Sequence, residues 1–180
     1  MNIQQKLFSK ANELINVKPL GIDLTELDIS QIYYEKENSP ELRERITRFG
    51  RILEQSEGLK QLTSDYYREH DEKIHAFKDA IIYQELIQIL TFVEFFNPLK
   101  EKFESGTELE KIAIAFSSLR MNKIRNSIAH YDWTIEGQNI KFLDRKFSYS
   151  VPYIEVSLLA SLFSMIGLYL VKDVAEINNP

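Results

Sequence analysis

The apolar positions of this chain follow a helical period over most of its length and switch to a strand period once, near the C-terminal third. Residues 3–15 carry Ile3, Leu7, Leu14 and Ile15, which predicts a short amphipathic helix ended by Pro19 and Gly21. Residues 21–38 show no helical register and read as a connecting loop with local structure. Ser39 then stands before Pro40, with Glu41 next. A hydroxyl cap, a proline whose missing N–H costs nothing in the first turn, and a carboxylate near the positive helix end together predict a helix start. Ile46, Phe49, Ile52 and Leu53 continue that helix, and Gly58 is the expected stop. Residues 64–96 contain neither glycine nor proline. Their polar first half, with Arg68, Glu69, His70, Asp71, Glu72 and Lys73, predicts an exposed turn or arm. Their apolar second half, from Ile81 to Phe96, predicts a central helix. Asn97-Pro98 restarts the chain in a short helix to about residue 104.

Thr107-Glu108-Leu109-Glu110 matches a capping box, with a carboxylate three residues after the cap. The helix it opens is expected to run to about residue 130, with Ile114, Met121, Ile124 and Ile128 as its buried stripe. The period then changes. Trp133 and Ile135, Ile140 and Phe142, and Phe147, Tyr149 and Val151 alternate with polar neighbours. Gly137-Gln138-Asn139 and Asp144-Arg145-Lys146 supply turns, so a hairpin or three-strand meander is predicted. Pro152, with Glu155 behind it, opens a last helix to about residue 174, whose Leu158, Leu159, Leu162, Phe163 and Leu168 belong to a core or a dimer surface. The fold class expected is mainly α, an up-and-down helical bundle with a small β-hairpin or meander inserted before the last helix. Residues 1–180 are expected to form one domain, with N-terminal helices and a loop in 1–60 and the core bundle in 64–180.

Composition narrows the function classes. The 180 residues include no cysteine, which removes disulfides, thiolate metal sites and cysteine nucleophiles and points to a reducing compartment. Six glycines and five prolines are too few for a turn-rich all-β fold. The uncharged stretch 156–171 falls short of the roughly 20 residues of a membrane span and is broken by serines, so a buried helix and no membrane partner are expected. No targeting signal is visible, and a cytoplasmic protein is expected. His70 and His75 are five residues apart, which suits a solvated charged helix better than a metal pair. Tyr33-Tyr34 and Tyr66-Tyr67 read first as packing residues. No glycine-rich phosphate loop occurs, which argues against nucleotide-hydrolysing and dinucleotide-binding folds. No cofactor and no metal are expected.

One segment carries chemistry: Lys123-Ile124-Arg125-Asn126-Ser127-Ile128-Ala129-His130-Tyr131-Asp132-Trp133. On a helix, Asn126 and His130 share a face, Arg125 can swing its long side chain to the same region, and Ile124 and Ile128 point into the core. Histidine exchanges protons near neutrality, and arginine forks onto phosphate through two hydrogen bonds. The pair suits attack of an RNA 2′-hydroxyl on the adjacent phosphate. The net charge of −5 argues against a protein that coats nucleic acid with its whole surface, but residues 120–146 alone carry +3. Tyr131 and Trp133 offer faces for unpaired bases, and Lys123 and Asp132 are candidates for positioning substrate.

Arg125-Asn126-Ser127-Ile128-Ala129-His130 resembles the Arg-x4-His signature of the HEPN superfamily, in which asparagine commonly follows the arginine. The aromatic hairpin and final apolar helix that follow are similar to bacterial members linked to toxin–antitoxin and phage-defence systems. The resemblance covers about residues 107–174. It implies a four- or five-helix bundle that forms a homodimer with two such motifs facing across a cleft. It implies a metal-independent ribonuclease with Arg125, Asn126 and His130 as the catalytic set, RNA as substrate, and a possible cognate antitoxin. Some two-component toxins of this kind carry a modified tyrosine two residues after the histidine; here that position is Asp132, and the tyrosine is Tyr131. The competing class is a non-catalytic dimeric HEPN module that binds RNA, a nucleotide or a protein partner.

Overall fold

The computed structural model describes residues 16–24, 40–68 and 74–171, with residues 9, 13, 27, 28, 31, 32, 34 and 35. Among these, five bounded helices and one sheet follow in order. They are α1 (Pro40–Arg68), α2 (Ile74–Phe96), α3 (Glu108–Phe116), α4 (Leu119–Ala129), β1 (Trp133–Glu136), β2 (Asn139–Asp144), β3 (Phe147–Pro152) and α5 (Tyr153–Val171). The chain is therefore mainly helical, with a small antiparallel sheet ordered β1-β2-β3 before the last helix. No helix among the described residues is long and apolar enough to cross a membrane. The predicted helix at 3–15 and Ser39 lie outside the described residues, apart from the helical positions Ser9 and Glu13. So do His70, the His75 side chain and the expected helix end at about 174.

Helix α2 is the central element. Its Ile82, Leu86, Ile89, Phe92, Val93 and Phe96 are fully buried, as the apolar run predicts. Phe92 stacks on Phe163 of α5 at 4.5 Å and meets Phe49 of α1 edge-on at 4.8 Å. Phe116 of α3 meets Phe163 at 4.6 Å. Four helices thus share one aromatic knot, and each such pair contributes about 1 kcal/mol beyond the area it buries.

Several boundaries differ from expectation. Helix α1 does not stop at Gly58 but runs 29 residues, through Gly58, to Arg68. Gly58 has open space around it and no positive φ, so nothing there forms a cap. Local bonds carry the helix past it: Thr63 Oγ1 donates to the Leu59 carbonyl, and Gln61 Nε2 donates to Asp65. Residues 64–68 therefore close α1 rather than open α2. Leu59, Leu62 and Tyr66 are exposed, so the projecting part is the end of α1.

The helix expected over 107–130 is two helices. Thr107 caps α3 as predicted, its hydroxyl accepting from Glu110 N–H. The Glu110 carboxylate returns to the Gly106 N–H at 2.6 Å, one residue before the usual target. A second cap at Ser118, in extended conformation, accepts from Met121 N–H and starts α4. The Ser117 hydroxyl lies 2.6 Å from the Ala113 carbonyl and 2.9 Å from Asn97 Oδ1, two acceptors that share its one proton. Two hydroxyls in succession give the backbone alternative partners, and the helix breaks. The break turns Ile114 outward, and it is 50% exposed rather than part of the stripe. Met121, Ile124 and Ile128 are buried as predicted. The short helix expected after Asn97-Pro98 is only a 3-10 turn, Asn97–Leu99.

The meander matches its predicted strands. Trp133 pairs with Phe142 and Ile140 with Val151, and two-residue turns sit at Gly137-Gln138 and Arg145-Lys146. Gly137 takes φ 66, as such a tight hairpin requires. Pro152 ends β3 rather than opening α5. Part of the segment read as a loop over 21–38 belongs to the core. Ile22, Leu24, Leu27 and Ile32 are buried beside Leu20. Residues 31, 32, 34 and 35 are helical, and two backbone groups of the segment reach distant carboxylates: Leu20 N–H donates to Glu155, and Asp28 N–H donates to Glu108. Glu35 in turn accepts from the Glu108 and Leu109 N–H groups, placing a carboxylate at the start of α3.

Candidate functional site

The site is built on the C-terminal half of α4 and the end of β2. Ile124, Ser127 and Ile128 anchor the helix in the core. The buried Ser127 hydroxyl lies 2.6 Å from the Leu143 carbonyl and 2.9 Å from the Lys123 carbonyl. It therefore locks the helix to β2 at the level of the motif.

Three of the predicted residues form one network with two that the sequence did not single out. Arg125 Nη1 donates to Asn126 Oδ1 at 2.9 Å. Asn126 Nδ2 donates to Asp144 Oδ2 at 3.2 Å. Lys123 Nζ lies 3.0 Å from the same carboxylate oxygen. Arg125 Nε lies 3.0 Å from Glu94 Oε1 of α2, close enough for an ion pair but out of line for a hydrogen bond. Charges therefore alternate along Lys123, Asp144, the Asn126 amide, Arg125 and Glu94. Hydrogen bonds from Lys123 first, then Asn126, hold the Asp144 carboxyl below its ordinary 3.8. Glu94 is legible only as a charge inside the apolar run Phe92-Val93-Glu94-Phe95; Asp144 reads in the sequence as turn chemistry.

His130 is the C-cap of α4, its N–H bonded to the Asn126 carbonyl at 2.9 Å. Its side chain is exposed, and no hydrogen bond or ion pair among the described residues joins it to Arg125 or Asn126. The helix ends in a Schellman motif: Tyr131 N–H bonds to the Ile128 carbonyl and Asp132 N–H to the Ser127 carbonyl. Tyr131 sits at φ 59, the left-handed position usually given to glycine. Asp132 is exposed, and its carbonyl accepts from Leu143 N–H, so the ladder reaches back to the helix end. Trp133 is half-buried against the core. Tyr83 of α2, which the sequence did not suggest, places its hydroxyl 3.3 Å from that of Tyr131. Its ring lies 6.3 Å from Trp133.

The basic window is largely committed. Lys123 pairs with Asp144, Arg125 with Glu94 and Lys141 with Glu136. Arg120 donates to the Leu20 carbonyl and lies over Tyr149. Arg145 and Lys146, on the exposed β2–β3 turn, make no hydrogen bond or ion pair among the described residues, although the Arg145 charge also acts on Asp144. Among the described residues no group of three His, Asp or Glu side chains converges as a metal site. Comparison with known proteins adds no relative: no family model matches the chain, and no curated protein or solved structure does either.

Proposed function

We propose that this protein is an endoribonuclease of HEPN type, toxin-like or defence-associated, acting as a homodimer without a metal. The observation that carries the reading is the end of α4: an exposed imidazole at the C-cap, with no hydrogen bond or ion pair among the described residues, on the same helix as a guanidinium steered by Asn126. Arg125 Nη2 has no partner among the described residues, so it is open to a phosphate oxygen. In the reaction the substrate 2′-oxygen attacks the adjacent phosphorus. Its proton passes to an imidazole, the bond to the 5′-oxygen breaks, and that oxygen takes a proton. The products are a 2′,3′-cyclic phosphate and a free 5′-hydroxyl. Arg125 holds the charge that builds on the phosphate, and Asn126 orients Arg125.

The Glu94 contact supports a second reading, a dimeric binding module in which Arg125 serves only to tie α4 to α2. Magnitude weighs against it. Both side chains are partly exposed, at 31% and 53%, and such pairs contribute about 0–1 kcal/mol. A forked phosphate contact is stronger and can share or displace Glu94. The test is incubation of purified protein with end-labelled RNA in EDTA, with product ends identified by mass. Fragments ending in 2′,3′-cyclic phosphate are expected. Intact RNA, or 5′-phosphate ends, would favour the binding module or another chemistry.

A further inference from the structure

We propose that the Tyr131 ring, propped by Tyr83 beyond the end of α4, is a stacking platform for one unpaired base, and that the RNA taken at this site is therefore single-stranded. The proposal rests on the ribonuclease reading for its ligand but on separate observations for its geometry.

The first observation is backbone strain without compensation. Among the described residues, four other than glycine have positive φ: Lys18, Leu20, Tyr131 and Arg145. Leu20 is fully buried, so burial offsets its conformation. Tyr131 is 67% exposed, so its large ring buries little. At the residue after a helix C-cap, glycine adopts φ near 59 without a side-chain clash, and tyrosine does not. A strained position that packing does not repay points to a function for the side chain.

The second observation is what surrounds the ring. Tyr83 is 40% exposed and steadies Tyr131 through the paired hydroxyls, and Trp133 closes the row behind Tyr83. The hydroxyl pair also holds Tyr83 above its ordinary 10.0. The ladder bond from Leu143 N–H to the Asp132 carbonyl and the bonds from Lys123 and Asn126 to Asp144 fix the β2–β3 turn beside this row. That turn carries Arg145, the other exposed strained residue at this end, and Lys146. Aromatic faces beside exposed cations match a nucleotide, which brings a flat base and a phosphate together. Asp132 is an exposed carboxylate in this region, and the Asp144 carboxylate at the start of the turn is held by Lys123 and Asn126.

The ring selects strands rather than duplexes for a geometric reason. A base inside a duplex has both faces covered by its neighbours, so only an unstacked base can lie on an aromatic side chain.

The experiment measures binding apart from cleavage. A fluorescent 2′-O-methyl RNA of about ten nucleotides lacks the attacking hydroxyl and is titrated by anisotropy, single-stranded and annealed to its complement. Wild type is expected to bind the strand and not the duplex. Tyr131→Gly is expected to melt at or above the wild-type temperature and yet bind about tenfold more weakly or worse. Tyr131→Phe, which keeps the ring, is expected to bind within a few-fold of wild type. Equal binding by Tyr131→Gly and wild type overturns the platform, as does equal binding of strand and duplex, or no binding of either. Wild type that binds the strand through Tyr131 but cleaves no RNA keeps the platform and removes the ribonuclease. Cleavage unaffected by Tyr131→Gly does the reverse.

Discussion

Asp144 is the residue on which the candidate site turns, because Lys123 and Asn126 both reach its carboxylate. Its folded value lies below the ordinary 3.8, so ionised Asp144 contributes stability that is present above the unfolded value. That contribution is lost as the pH falls through the lower folded value. Thermal melts of wild type and Asp144→Asn are expected to differ near neutral pH and to converge in the acid range. A gap that stays constant down to about pH 3 would mean the charge contributes nothing. Ser127 makes a second test at this scale. It is fully buried, and its hydroxyl serves the Leu143 carbonyl. Ser127→Ala is expected to cost about 1–3 kcal/mol in urea unfolding, because a buried acceptor loses its donor. Arg125, Asn126 and His130 are candidates in the sequence through residue type, helical spacing and the Arg-x4-His resemblance. Glu94, Asp144 and Tyr83 are not, because they come from other elements and only tertiary packing brings them to α4.

At the scale of elements, legibility follows how local the cause is. Thr107 is readable as a cap because its hydroxyl bonds a backbone group three residues away. The meander is readable because Gly137 and the alternation of Ile140 and Phe142 act locally too. The break at Ser117-Ser118 is hidden behind an unbroken apolar pattern, since its fixing contact is Asn97, twenty residues upstream. Ser118→Ala is expected to cost about 1 kcal/mol, the value of a lost N-cap, in chemical unfolding. A neutral result would mean that Ser118 does not cap α4. Gly58 separates the two accounts of α1 more sharply. In a helix interior with open space, Gly58→Ala is expected to stabilise by about 1 kcal/mol. At a left-handed stop the same change would destabilise, so the sign of the shift in urea midpoint decides.

Across the whole molecule, the aromatic knot on α2 fixes α1, α3 and α5 around one helix, and Leu20, Ile22, Leu24, Leu27 and Ile32 belong to the same core. The helical class and the place of the sheet are legible because apolar period and glycine scarcity act on the chain as a whole. The burial of Leu20, Ile22, Leu24, Leu27 and Ile32 is not, because Glu155, Arg120 and Glu108 satisfy backbone groups of Leu20 and Asp28 from far along the chain. The result is a rigid frame that presents the end of α4, with His130 and Tyr131 outward, to solvent. The claim that this end cleaves RNA is tested most directly by digesting one RNA in EDTA with wild type, Arg125→Ala and His130→Ala. Each variant is first matched to wild type by circular dichroism and melting temperature. The account predicts cleavage by wild type and a loss of about a hundredfold or more in each variant. Equal cleavage by all three would place the activity elsewhere, and no cleavage by folded wild type would contradict the ribonuclease reading itself.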